Sequence, residues 1–188
     1  MARISLNPPR TPLFRVVEWY CRRRYGAMVD PGKALGHNAR VLYAELRFEQ
    51  AVARFNQLDP VLKELAVMTA AARIGCSWCL DFGYWEGRKL GIAPEKLRAV
   101  PAWREHQSLF SELELAVMEY AEAMCETEPT VSDELAQDLL ILMGEPAFVE
   151  LTVMVGIENL RSRVNSALGL RSQGFADRCE VPPVPSRL

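Results

Sequence analysis

Apolar residues recur three and four positions apart along almost the whole chain, the period of an amphipathic helix. No alternating run reads as a strand, and no Asn-Gly pair marks a hairpin. The pattern predicts a helix over about 12–27, stopped by Pro31 and Gly32. A long second helix is expected over 33–57, with Leu35, Val41, Leu42, Leu46, Val52 and Phe55 on its apolar face. Asp59 and Pro60 suit the N-cap and first position of a third helix. Between 65 and 72 Thr69 is the only polar side chain, so this helix is expected to be buried on most sides. Gly75 separates it from a helix over 77–90, which Gly91 stops. Pro94 opens a short helix to about 100, and Ser111 with Glu114 forms a capping-box pattern opening a helix to about 126. Helices over 132–143 and 146–168 complete the set, and beyond Gly174 the prolines 182, 183 and 185 predict a loose tail. The chain therefore reads as all-α: an N-terminal segment and helix (1–30), one helical domain (31–175) and a flexible tail (176–188).

With 49% hydrophobic residues over 188 positions, the chain can bury a core of its own. The formal net charge of -2 leaves no broad basic field for nucleic acid. The local cluster Arg22, Arg23, Arg24 reads as a solvated helix face. No stretch approaches about 18 uninterrupted apolar residues, so no membrane span is expected, and the N-terminus has no signal-peptide pattern. An odd count of five cysteines argues against a secreted disulfide scaffold and for a cytoplasmic protein with reduced thiols. The pentapeptide ELAVM occurs at 64–68 and again at 114–118, but two copies fall short of a repeat architecture.

The segment 75–83, GCSWCLDFG, sets Cys76 and Cys79 three apart at the expected start of a helix. A structural zinc site needs four ligands. Cys21, Cys125 and Cys179 stand singly and His37 and His106 lie far apart, so the sequence offers no metal set. Single cysteines commonly serve as small buried hydrophobes, and those three fit that reading. At i and i+3 near a helix N-terminus, two cysteines share a face within reach of a disulfide, and the helix dipole favours a thiolate there. Spacing alone leaves redox chemistry and packing both open.

The segment ELAVMTAAARIGCSWCLDFG resembles the active-site segment of the carboxymuconolactone decarboxylase family, in its alkylhydroperoxidase D-like branch. Glu64, Cys76 and Cys79 fall at the family's spacing of glutamate, twelve residues, and Cys-x-x-Cys. The stretch GRKLGIAPEKLRAVPAWREHQSLFSELELAVMEYAEAM is similar to the segment after the motif in many members, and ENLRSRVNSALGL, with Asn159, Arg163 and Asn165 at polar positions, to their closing helix. The resemblance covers about 35–175. It implies an alkylhydroperoxidase D-like helical fold with the CxxC at a helix N-terminus.

It also implies a thiol-dependent peroxidase acting on a small-molecule hydroperoxide, reset by an external thiol reductant and requiring no cofactor. Cys79 would then be the attacking thiol, Cys76 the resolving one, and Glu64 part of a proton relay. The match is incomplete: Trp78 and Gly83 stand where hydroperoxidase members carry histidines. Asp81, two residues after Cys79, is one candidate proton acceptor or a capping carboxylate, and His37 is another acid-base candidate or a packed helix-start residue. Lactone decarboxylation, the activity that names the family, and a non-catalytic redox-sensing oligomer are the competing readings. A homo-oligomer, trimer or hexamer, is expected from the resemblance, and Trp78, Phe82, Tyr84 and Trp85 crowd the CxxC helix more than one packed face needs.

Overall fold

Thr11 opens the first helix, its hydroxyl accepting the Phe14 N–H at 3.1 Å with Pro12 next in line. The computed structural model describes residues 2–179, and among these it holds helices and turns but no strand. The helices are α1 (Pro12–Tyr25), α2 (Asp30–Leu35), α3 (Ala39–Val52), α4 (Pro60–Ile74), α5 (Ser77–Lys89), α6 (Pro94–Ala99), α7 (Glu112–Ala123) and α8 (Asp133–Ala167). Two 3-10 turns link α6 to α7 and another spans Ala176–Cys179. Where the sequence predicts one helix over 33–57 there are two. The Asn38 side chain accepts the N–H groups of Arg40 and Val41 and so caps a new start, α3. The hydrophobic period runs through this break because Leu35 and Leu42 both pack into the cluster around Phe14 and Val17.

Helix α4 is the centre. Its N-cap Asp59 accepts from Val61 and Leu62, and Leu65, Ala66, Met68, Thr69, Ala70 and Ala71 are all buried. The alanines let neighbouring helices approach closely, and Thr69 satisfies its hydroxyl on the Leu65 carbonyl at 2.8 Å. Ala66 and Ala70 pack with Val117 and Ala121 of α7 and Leu151 and Val155 of α8. Leu65 and Met68 pack with Tyr84, Leu97 and Met118. Each fully buried large side chain contributes about 1.5–3 kcal/mol.

The two copies of ELAVM occupy different settings: Glu114 completes a capping box with Ser111, whereas Glu64 turns toward α5. Gly144, with φ 79° and ψ 162°, breaks α8 just before Pro146, which accounts for the two helices expected there. By length and composition α8 could cross a membrane. In this fold its Leu139, Leu151 and Val155 belong to the core with α4 and α7, and it carries the buried carboxylates Glu150 and Glu158.

The segment expected to be loose after Gly174 is instead docked as far as Cys179. Phe175 is fully buried, and the Asp81 carboxylate accepts the backbone N–H groups of Gln173 (2.8 Å), Phe175 (3.0 Å) and Ala176 (2.8 Å). The prolines at 182, 183 and 185 lie outside the described residues. At the other terminus, Arg3 donates from backbone and side chain to the carbonyls of Leu168 and Ala167, satisfying the end of α8. Asp81→Ala removes the acceptor from three N–H groups at once, so a loss of about 2–3 kcal/mol in unfolding free energy is expected by urea titration.

Candidate redox-active site

The site starts at a turn. Gly75, in the left-handed region at φ 84°, ends α4, and the Cys76 N–H returns to the Ala71 carbonyl at 2.9 Å. Cys76 is then the N-cap of α5, its Sγ accepting the Cys79 N–H at 3.3 Å. The two cysteines form a disulfide with Cα atoms 5.3 Å apart. Both are buried, Cys76 at 2% and Cys79 at 7% exposure. Their surroundings differ: Cys76 holds the N-terminal end of α5, where the dipole favours negative charge on sulfur. Cys79 Sγ faces polar groups of α8, with Ser162 Oγ and Asn165 Nδ2 each at 3.4 Å.

Helices α4 and α5 pack against each other, and this brings Glu64 beside Gly83 of α5. A Cβ built on Gly83, one turn beyond Cys79, would lie 3.0 Å from Glu64 Oε1 and 2.8 Å from Met68 Cγ. The glycine therefore lets the carboxylate and Met68 press against the backbone of α5. Burial is the chief cause raising the Glu64 pKa, the carboxylates of Glu86 and Glu158 add to it, Arg161 opposes, and the result is about 8. Glu158 is likewise pushed up by burial, held back by Arg161 and Ser162, and reaches about 7. Arg161 forms a two-pronged pair with Glu49 of α3, at 2.7 Å and 2.5 Å, and lies 3.7 Å from Glu158.

Of the sequence-derived candidates, Cys76 and Cys79 are bonded to each other, and Glu64 lies beside Gly83, one turn beyond Cys79. Asp81 points elsewhere. Burial raises its pKa, but the backbone N–H groups of Ala176, Phe175 and Gln173 outweigh it and keep the carboxyl below its ordinary value. Both its oxygens are engaged away from Cys79, because two residues along a helix turn the side chain to another face. His37 is exposed between α2 and α3, with Nε2 2.7 Å from the Ser5 carbonyl, so it ties down the N-terminal segment. Of the polar residues picked out on the closing helix, Asn165 reaches Cys79, while Asn159 donates to Cys125 Sγ at 3.2 Å and Arg163 is exposed.

Glu158 and Ser162 were not among the candidates. The signal was present: the buried stripe of α8 runs Ala147, Leu151, Val155, then continues in register as Glu158, Ser162, Asn165. A core stripe that turns polar without leaving the core marks a site. The aromatic side chains of α5 are also satisfied within the chain. Trp78 stacks on Phe82 at 5.0 Å, and Phe175 meets Phe82 at 5.1 Å and Trp85 at 5.4 Å. They no longer argue for a partner subunit. A cavity of about 530 Å³ lies elsewhere, lined by the ion pairs Arg73–Glu126 and Arg104–Glu122.

The fold is all helical, with a CxxC at a helix N-terminus faced by a serine and an asparagine of α8. The chain belongs to the carboxymuconolactone decarboxylase family, whose pattern matches residues 40–123 and so spans Glu64, Cys76 and Cys79. YnjA of Escherichia coli (strain K12) is 33% identical over 171 residues, 90% of this chain and 92% of YnjA. Two solved structures share the alkylhydroperoxidase D-like fold. A peroxidase-related protein from Silicibacter sp. TM1040 has a TM-score of 0.82 at 15% identity, over 95% of this chain and 94% of its own. An uncharacterized peroxidase-related protein from Ralstonia eutropha JMP134, described as an alkylhydroperoxidase AhpD core, has a TM-score of 0.79 at 16% identity, over 92% of this chain and 97% of its own.

The raised carboxyls have a consequence for stability. Glu64 stays protonated in the fold up to about pH 8 but ionises near 4.5 when unfolded. Its stabilising contribution is full below the unfolded value and is lost as pH rises through about 8, and Glu158 acts with the same sign. Thermal melts should therefore fall between about pH 5 and pH 9. Glu64→Gln should melt a few degrees above the parent at the alkaline end and close to it at the acid end.

Proposed function

We propose that the protein is a thiol-dependent peroxidase that reduces a small-molecule hydroperoxide. The observation that carries this reading is the asymmetry of the pair: Cys79 Sγ faces a hydroxyl and an amide, while Cys76 sits bonded to it at the N-terminal end of α5. As a thiolate, Cys79 attacks the distal peroxide oxygen. The O–O bond breaks, the alcohol leaves with a proton, and Cys79 becomes a sulfenic acid. Cys76 attacks that sulfur, water leaves, and the disulfide forms. An external thiol reductant attacks the disulfide at the less buried sulfur, Cys79, releasing Cys76 as a thiolate that the helix terminus stabilises.

Asn165 Nδ2 supports this order, since it can only donate and so favours negative charge on the Cys79 sulfur. Glu64 belongs to the acidic group that manages protons beside the pair. Asp81 and His37 are assigned no chemical part, as both are engaged elsewhere. Self-association remains part of the reading through the family. The exposed apolar residues suited to it are Val41 and Phe48 of α3 and Val149, Val153, Leu160 and Val164 of α8.

The test is single-turnover oxidation with an alkyl hydroperoxide, followed by trapping of sulfenic acid. Cys79→Ser should abolish oxidation at the pair, and Cys76→Ser should give one round that stops at the sulfenic acid. A sulfenic acid formed on Cys76 in the Cys79→Ser protein at the parent rate would reverse the roles. Turnover of a carboxymuconolactone that survives loss of both cysteines would overturn the peroxidase reading. Sedimentation at micromolar concentration should give an oligomer, and a monomer would remove self-association.

A further inference from the structure

We infer that Ser162 is a catalytic residue through which Cys79 loses its proton, with the Glu158 carboxylate as the positioning residue that receives it. The inference deepens the peroxidase reading for the attack step, although proton removal from Cys79 can be tested without any peroxide. Ser162 is fully buried, and its Oγ lies 2.7 Å from Glu158 Oε1 and 3.4 Å from Cys79 Sγ. A hydroxyl has one proton to give. Given to Glu158, it leaves the oxygen lone pairs free toward Sγ. When the pair is reduced, the Cys79 S–H can donate to Ser162 Oγ while Ser162 donates to Glu158. Each proton then moves one bond: S–H to oxygen, O–H to carboxylate. The products are a thiolate and a neutral Glu158, with no net change in protons. After the peroxide O–O bond breaks, the same path returns a proton to the leaving alkoxide.

Three further features fit a relay rather than packing. Glu158 is 2% exposed, a costly place for a carboxylate that serves only to fill space. A buried serine commonly returns its hydroxyl to its own helix backbone, but Ser162 gives it to a side chain. The side-chain hydrogen bonds that reach Cys79 Sγ come from Ser162 and Asn165, both of α8. The groups facing Glu158 are Arg161 on its own helix, Glu49 on α3, Glu64 on α4 and Cys125 after α7, with Glu86 of α5 acting on Glu64. Burial raises the carboxyl, Arg161 and Ser162 lower it, Glu49 raises it, and the result is about 7, where a base is both ionised and strong enough near neutral pH.

The experiment uses the full chain as Cys76→Ser, in which serine keeps the cap of α5 and Cys79 cannot form the disulfide. Alkylation of Cys79 by iodoacetamide is followed from about pH 5 to pH 9 by mass spectrometry of the peptide bearing it, which separates it from Cys21, Cys125 and Cys179. The rate should rise through a limb near neutral pH. Adding Glu158→Gln, which still accepts the Ser162 hydrogen bond but takes no proton, should move that limb up by at least one pH unit and slow alkylation about tenfold or more at neutral pH. Ser162→Ala should do the same, and the two together should add little to either, because they interrupt one path. A limb unmoved by Ser162→Ala, or effects of the two changes that simply add, would overturn the relay. Hydroperoxide turnover of the unmutated chain is measured alongside. Its absence with the limb shift present overturns the peroxidase reading and leaves the relay standing.

Discussion

The turn at Gly75 and Cys76 is the constraint on which the site depends. A left-handed glycine lets α4 end and the Cys76 N–H bond back to Ala71, so the chain reverses within two residues. That reversal makes Cys76 the cap of α5 and lays α5 against α4. It thereby brings Glu64, twelve residues earlier in the chain, beside Gly83. A straight helix would hold Glu64 about 28 Å from Gly83. A side chain in place of Gly83 would meet Glu64 and Met68 at once.

Helix α8 supplies the other wall at an energetic cost. Its buried stripe is aliphatic where it packs on α4 and α7, and acidic and amidic where it meets Cys79. Glu64, Glu158 and Glu49 face the Arg161 guanidinium, which is already committed to Glu49, and Glu86 adds its charge to Glu64. Such a cluster cannot be fully ionised in the fold at neutral pH, and the two raised carboxyls are the outcome. Buried carboxyls that exchange protons near neutrality are poor packing but suit the deprotonation of a thiol.

The sequence was most legible where local interactions decide. The Asp59 cap, the Ser111–Glu114 box, the glycine stops at 75 and 91 and the bare apolar run of α4 each depend on neighbours a few residues away. The break at Asn38 was obscured because hydrophobic spacing continues across a capped turn when both helices pack on one cluster. The setting of Asp81 was illegible for the opposite reason: its partners, the N–H groups of 173, 175 and 176, lie more than ninety residues away in sequence. The same holds for Ser162, 83 residues from Cys79. Glu64 and the CxxC were legible because one family motif carries all three. The groups opposite them belong to a helix outside the matched span.

The central claim is that Cys76 and Cys79 alone among the five cysteines carry two-electron chemistry. Peptide mass mapping of the reduced protein after one equivalent of an alkyl hydroperoxide tests it most directly. The account predicts loss of two hydrogens, a cross-linked peptide joining Cys76 to Cys79, and Cys21, Cys125 and Cys179 recovered as thiols. A reduced Cys76 and Cys79, or oxidation spread evenly over all five cysteines, would contradict it.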